Sequence, residues 1–405
     1  MTKYQKAVPQ SSPSETIAET LQEIILRHLG EWIPKLVEEE IEQYLGRKRY
    51  EQHQEQEPRQ YRNGYHKERS LTTGMGTVPL RLRRLREPFE SQIVQRYQRT
   101  TAEVQALLPE LYLHGLATGD FQDALTALLG EQAPLSQTSI VRAKSQWEEE
   151  YQRWKRRSLD SDYLYVWADG VYPKAGPTDE RMAVLTVVGL NRKGQKEVLA
   201  IAEGYRESFE SWRDVFRDLK KRGLRWIGLL ISDGLAGLAK AVREIYPMAK
   251  RQRCFVHKMM NVLDKVPDKV HDDVLQALRE IYHAKSQEQA ILLRRAFRDR
   301  YLKHYPEAVR SLEEAGDYLF SFFDFPKRHW KSIKSTNVIE SLFNAVKLRT
   351  DAARRIPSRQ SALFLVFKLL QRQEHRLHKI AGYKLVPQTI DHLKLQHRIQ
   401  VRKAA

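Results

Sequence analysis

Cysteine is almost missing from these 405 residues: Cys254 stands alone, which excludes an internal disulfide and a cysteine-rich zinc module. A reducing compartment fits that usage. No window reaches the ~18 consecutive apolar residues of a membrane-spanning helix. The opening stretch MTKYQKAVPQSSPSE lacks the apolar centre of a secretory signal, so 1–15 reads as a disordered tail. The expectation is a cytoplasmic protein with no membrane attachment. Negative charge is scarce as well, with 51 Asp and Glu against 69 Lys and Arg, a formal charge of +18 and a pI near 9.7. That imbalance points to a polyanionic partner, nucleic acid before a membrane surface. It also weighs against a glycosidase, the other common user of paired carboxylates.

What is present is enough apolar matter, 41% of the chain, for two to four structural units. Residues 16–46 read as two short amphipathic helices divided near Gly30 and Pro34, within an N-terminal region 16–58 suited to packing or pairing with a second copy. From 59 to 86 there are eight basic residues (Arg59, Arg62, Lys67, Arg69, Arg81, Arg83, Arg84, Arg86) against Glu68 alone. Val78, Leu80 and Leu82 alternate with polar positions and TTGMG supplies a turn, predicting a β-hairpin in a basic region 59–100. Its arginine-rich face suits a phosphate backbone, or is a solvated edge strand. Residues 101–158 read as three helices. The polar start of the third, with Arg142 and Lys144, fits helix-turn-helix readout of DNA or plain three-helix packing.

The segment 159–257 changes character. YLYVWAD, MAVLTVVGL and KEVLAIAE are strand-like runs, followed by helix SFESWRDVFRDLKKRG, strand WIGLLISD, helix GLAKAVREIY and short strand RQRCFV. With the later helix around Glu340 the order is β-β-β-α-β-α-β-α, that of an RNase H-like sheet of mixed direction, an α+β or α/β class. A crossover helix lays the fourth strand beside the first. The helix-rich stretch 258–330 reads as an all-α insertion. The fold resumes over 331–385, and 386–405 is a basic tail.

Three acids sit on this frame. Asp169 closes YLYVWAD, Asp233 closes WIGLLISD, and Glu340 lies in STNVIESLFNAVKLR. A carboxylate after a buried strand is costly unless a positive group compensates it, and converging acids usually do so around a divalent ion. Two Asp on strands and a Glu on a late helix suit two-metal phosphodiester chemistry. Asp-Gly is also a common turn pair, which taken singly explains either aspartate. Asn337, Asn344 and Lys347 share a helical face with Glu340, and Lys347 and Arg349 can grip phosphates or line a solvated face. Cys254-x-x-His257 offers only two ligands, short of a zinc site. Trp330, between basic clusters, can stack on an unpaired base or pack in the core.

The stretches RNGYHKERSLTTGMGTVPLRLRRLR, YVWADGVY, EGYRESFESWRDVFRDLKKRGL, SDGLAGLAKAVREIYP, QRCFVHKMMNVLDKVP and STNVIESLFNAVKLRT resemble the Mutator-type transposases of bacterial insertion sequences, kin to the plant Mutator elements. That resemblance implies a DDE transposase with an RNase H-like catalytic core interrupted by an all-α insertion. It puts the acidic triad at Asp169, Asp233 and Glu340, two Mg²⁺ ions (with Mn²⁺ as substitute) on those acids, and signature positions at Cys254, His257, Asn337 and Asn344. It implies basic positions at Lys347 or Arg349, and a tryptophan at Trp330 that handles the flanking strand. The N-terminal third would bind terminal inverted repeats. The partners implied are double-stranded DNA, as repeat ends and target, and further copies of the chain in a dimer or larger assembly. A nucleoid association when DNA-bound follows. The residues alone leave two other readings: a nuclease or junction resolvase on the same core, and a DNA-binding regulator without catalysis, which would need one acid lost.

Overall fold

The computed structural model describes residues 13–51, 60–113, 126, 129, 137–176, 181–352, 356 and 358–404, and the chain divides into two compact units, Met1–Ala143 and Lys144–Ala405. In the first, helix α1 (Pro13–Leu45) runs unbroken where the sequence predicts two helices. A proline ring collides with the carbonyl four residues back, and here that residue is Gly30, whose backbone yields most easily. Gly30 serves packing instead of a break: a Cβ there would lie 3.3 Å from Val78 Cγ1. Val37, Ile41 and Leu45 of α1 are buried with Leu71, Val78, Leu80, Leu82 and Leu85, and this small core fixes the helix on the basic ribbon.

That ribbon contains β1 (Arg62–Tyr65), β2 (Arg69–Thr73), β3 (Gly76–Leu80) and β4 (Arg83–Leu85). The expected hairpin is β2–β3, in register from Arg69↔Leu80 to Thr73↔Gly76, while β1 pairs antiparallel with β4. Helix α2 (Ala102–Leu113) follows. The second helix expected in this region falls largely outside the described residues. Helix α3 (Gln137–Lys155) is formed as expected, with the side chains of Arg142 and Lys144 outside the description.

The second unit is built on one mixed sheet of β5 (Asp162–Val171), β6 (Ala183–Asn191), β7 (Lys196–Gly204), β8 (Trp226–Ser232) and β9 (Lys250–Arg253), in spatial order β7-β6-β5-β8-β9. β6 is antiparallel to β5 and β7, whereas β8 runs parallel to both β5 and β9. Every residue of β6 is buried, as a strand covered on both faces must be. One cover is α4 (Phe209–Lys221), started by the Ser208 side chain accepting from Ser211 N. Its Trp212, Val215, Phe216 and Leu219 recur at helical spacing and face the sheet, as do Leu238, Ala241, Val242 and Ile245 of α5 (Ala236–Ile245). Fully burying a side chain such as Phe216 or Leu219 contributes roughly 1.5–3 kcal/mol.

A bulge between Tyr163 and Tyr165 switches the parity of β5, so Tyr163, Val166 and Ala168 join that core while Tyr165 and Trp167 take the opposite face. There Tyr165 bonds His329 Nδ1 at 2.6 Å and meets Phe325 edge-on. Among the described residues from Phe255 to Ile333 there is no strand: α6 (Phe255–Leu263), α7 (His271–Tyr282), α8 (Gln287–Tyr301), α9 (Pro306–Glu314) and α10 (Trp330–Ile333) fill the stretch. The chain then returns through α11 (Asn337–Ala352), packed on β5, and α12 (Arg359–Glu374), packed on β7, before α13 (Val386–Ala404). Among the described residues, no helix is long and apolar enough to cross a membrane.

Candidate active site

Trp167 of β5 lies in parallel register with Ile231 of β8. Asp169 and Asp233 each stand two residues further on, so the two carboxylates come abreast on the central strand pair. Asp169 is inside its strand, opposite Thr186, and not at the strand's end as the sequence suggests. Both share the parity of Trp167 and Ile231, the face on which α11 lies. Gly170 N donates to Asp169 Oδ1 at 2.8 Å, and Leu235 N donates to Asp233 Oδ1 at 3.2 Å. Asp233 opens a true turn, since Gly234 after it has φ +98°, a conformation open to glycine at little cost.

A fourth acid, which the sequence reading did not single out, completes this group. Glu207 sits just before the Ser208 cap of α4, where a helix N-terminus favours a carboxylate. Tyr172 donates its hydroxyl to Glu207 Oε1, and Oε2 is buried with no hydrogen-bond partner among the described residues. A Cβ on Gly170 would sit 2.2 Å from Glu207 Oε1, so only glycine beside Asp169 admits this side chain. Burial pushes Asp169 up to about 7, with Asp233 and Glu207 adding to the rise against the Gly170 N–H and His257. Burial also raises Glu207, and Asp233 adds to it. The group is therefore short of positive charge. The local signal for Glu207 was a charged residue just ahead of a Ser cap, in GYRESFESW; its neighbours at 170, 172 and 233 are remote in sequence.

Glu340 reaches the group through a second cluster. Cys254 N donates to Ser232 O at 2.6 Å, which sets the sulfur beside the strand end that carries Asp233. Its buried Sγ accepts from Thr336 N at 3.3 Å, Thr336 Oγ1 at 3.2 Å and His257 N at 3.5 Å. Thr336 in turn meets Glu340 Oε1 and His257 Nδ1, and its carbonyl accepts from Glu340 N at 3.0 Å at the start of α11. His257 Nε2 lies 3.8 Å from Glu340 Oε1. The Cys254 sulfur, then Glu340 and Asp169, push the imidazole up to about 9 against the effect of burial. The negative groups Glu340 and Asp169 on either side of it thus favour its protonated form.

One atom each from Cys254, His257 and Glu340 lie within 4.8 Å of one another, close enough for one ion. A thiol and an imidazole are softer donors, poorly matched to the hard divalent ions that carboxylates prefer. The hard carboxylate oxygens of Asp169, Asp233, Glu207 and Glu340 are chemically the better donors for a divalent cation, but among the described residues only Cys254, His257 and Glu340 bring three ligand atoms within 4.8 Å of one another.

The remaining residues singled out in the sequence separate into groups. Asn337, Asn344 and Lys347 are exposed on α11, while Arg349 is 5% exposed. Trp330 is half-buried, donating its indole N–H to Phe325 O at 2.8 Å and packing edge-on against Phe323. In the other unit, Arg62 and Arg83 both reach Glu38 of α1, at 2.8 and 3.2 Å. Arg69 donates to Gln95 O at 3.1 Å, and Lys67, Arg81 and Arg84 are exposed.

Comparison with known proteins was made on the whole chain. The model of a transposase family, the Mutator family, matches residues 2–379. The transposase for insertion sequence element IS6120 of Mycolicibacterium smegmatis is 40% identical over 281 residues, 69% of this chain and 87% of its own length. That for element IST2 of Acidithiobacillus ferrooxidans is 39% identical over 258 residues, covering 63% and 87%. That for element ISRM5 of Rhizobium meliloti is 32% identical over 348 residues, covering 85% and 86%.

Proposed function

The chain belongs to the Mutator family of transposases, and on that footing we propose that it is a DDE transposase with an RNase H-like core. It binds the terminal inverted repeats of its insertion sequence and catalyses strand cleavage and strand transfer with divalent metal ions. The observation that carries this reading is the placement of Asp169 and Asp233 two residues beyond the parallel register of Trp167 and Ile231, with His257 beside Glu340 and in the field of Asp169. The strand order β7-β6-β5-β8-β9, with only β6 reversed against its neighbours, supports the core assignment.

Two Mg²⁺ ions, or Mn²⁺ in their place, would be held by Asp169, Asp233 and Glu340, and when bound would activate the attacking oxygen and neutralise charge at phosphorus. In the first step a water oxygen attacks phosphorus and the bond from phosphorus to the 3′ oxygen breaks, freeing a 3′-hydroxyl. In the second, that hydroxyl attacks a target phosphodiester, whose own 3′ oxygen leaves and takes up a proton. The Gly170 and Leu235 N–H groups occupy Oδ1 of each aspartate and orient Oδ2 for binding. Thr336 and His257 hold Glu340 from the opposite side. The imidazolium of His257 supplies a fixed positive charge near the reacting phosphate. Glu207, lodged against Gly170, adds a further carboxylate to the anionic wall.

Terminal-repeat binding falls to the first unit, whose basic ribbon suits phosphates, with Lys67, Arg81 and Arg84 exposed on it. Assembly with further copies is supported by apolar side chains left open along α1, among them Leu21, Trp32 and Leu36. Incubating the protein with Mg²⁺ and duplexes carrying the inverted repeats that flank its own gene tests the reading. Metal-dependent nicking at the repeat boundary, absent from Asp169→Ala, is expected. Repeat binding with no cut by either protein would overturn catalysis and leave a regulator.

A further inference from the structure

One concavity of the first unit is lined by none of the acids of the candidate active site. A cavity of about 500 Å³ opens where segments 66–69, 80–89 and 94–99 meet, within the range of roughly 300–1,000 Å³ typical of small-molecule pockets. Its floor is apolar, formed by Val37, Leu80, Leu82, Leu85 and Val94, all buried. Its walls carry seven basic residues against two acids, Glu68 and Glu87. Arg83 is tied to Glu38 and Arg69 to a backbone carbonyl, but Lys67, Arg84, Arg86, Arg96 and Arg99 meet no carboxylate at ion-pair distance among the described residues. Burial, with Arg84, Arg69 and Arg96 around it, holds the His66 imidazole below its ordinary value, as expected where cations converge unneutralised.

On the rim stands Tyr97, 75% exposed and held at φ +65°, a left-handed conformation a tyrosine rarely adopts. The Arg96 guanidinium lies 5.1 Å from its ring centre. An apolar floor has nothing to offer a bare phosphate, and a duplex backbone is too broad to enter such a cavity. A flat apolar body with an anionic group attached satisfies floor and walls together.

We propose that this pocket receives one unpaired nucleotide of DNA, its base between Tyr97 and the apolar floor and its phosphates on Arg84, Arg96 and Arg99. The proposal rests on the reading that this unit binds DNA, and it adds that the unit distinguishes a strand end or distorted site from intact duplex. Stacking on an aromatic tolerates any base, so the pocket reports unpairing and not sequence.

The test uses the full chain and three fluorescent probes: a blunt duplex, the same duplex with a thymidine overhang, and the same with an abasic overhang. The wild type should bind the thymidine overhang about tenfold tighter than the other two, the scale of one base stacked on an aromatic ring. Tyr97→Gly, which suits the left-handed backbone, should abolish that preference without weakening blunt-duplex binding, and Tyr97→Phe should retain it. Arg99→Ala should weaken both overhang probes. Equal wild-type affinity for all three probes would overturn the pocket while leaving DNA binding by the transposase intact. Equal losses on every probe in Tyr97→Gly would do the same. No binding to any probe would overturn both readings.

Discussion

The two units hold charge in opposite ways. In the sheet unit, Asp169, Asp233 and Glu207 converge from three remote segments, with one cation, His257, among them. In the ribbon unit, arginines from a basic stretch surround a cavity, and one of them, Arg83, is paired with Glu38. The first group is assembled by tertiary structure and is half-buried, so burial and then neighbouring charge raise the proton affinity of Asp169 and Glu207. The second is assembled largely by local sequence and is open to water, where repulsion is screened. The excess charge of each finds no ion-pair partner among the described residues. What each lacks describes its ligand: small hard cations for one, a polyanion for the other.

The contrast breaks most sharply at Asp169. Replacing it with Ala should bring nicking of repeat-bearing duplexes to background while duplex affinity, measured by anisotropy, stays unchanged. A parallel loss of affinity would mean that the two regions are not functionally separate. Next in size is Gly170→Ala, which drives a methyl group into the Glu207 carboxylate. Mg²⁺ titration of cleavage should show about a 10–100-fold loss of apparent metal affinity, as for other groups that orient ligands, and Glu207→Gln should share it. An unaltered titration in both would remove Glu207 from the site.

A smaller effect concerns protons. An aspartate ordinarily titrates near ~3.9, and Asp169 is raised to about 7 in the folded chain. The folded state therefore keeps a proton that the unfolded state has released. Metal-free stability should fall as pH rises from the unfolded value through about 7. Thermal unfolding in EDTA between about pH 5 and about pH 8 should show this fall in the wild type and a flatter course in Asp169→Asn. His257, raised to about 9, keeps a proton that the unfolded chain releases above about pH 6.5, so it adds a further fall in the upper part of that window. The smallest effect is on the ribbon: Arg84→Ala with Arg99→Ala should reduce the salt slope of binding to the thymidine-overhang duplex by about two, roughly one per lost phosphate contact. An unchanged slope would take both residues off the DNA.

The strands of the second unit were legible because apolar runs such as MAVLTVVGL end at polar turns, and the helices because Trp212, Val215, Phe216 and Leu219 keep a 3.6-residue period. The two aspartates stood out as acids closing such runs. The break expected in α1 does not occur, because the Gly30–Pro34 pair that suggested it lets the helix continue against Val78. Glu207 was obscure for a different reason. Its meaning depends on Gly170, Tyr172 and Asp233, and no local pattern announces contacts made across the sheet. The C-x-x-H pair was legible as a buried thiol beside a hydrogen-bonded His, but the partner that joins them was not: it is Thr336, 82 positions from Cys254.

That last contact has a consequence for how the chain tolerates change. The helices between α6 and α11 leave the sheet at Cys254 and come back at Thr336, and a single sulfur clasps both ends of the excursion. A loop clasped at its neck can be lengthened at modest entropic cost, since each doubling adds only about 0.6 kcal/mol. Growth or grafting at its far end, around the α8–α9 junction, should leave Glu340 where it is, whereas a change of one residue at the neck should not. The catalytic frame and the helical excursion can thus vary on separate schedules, with the neck as the segment least free to change.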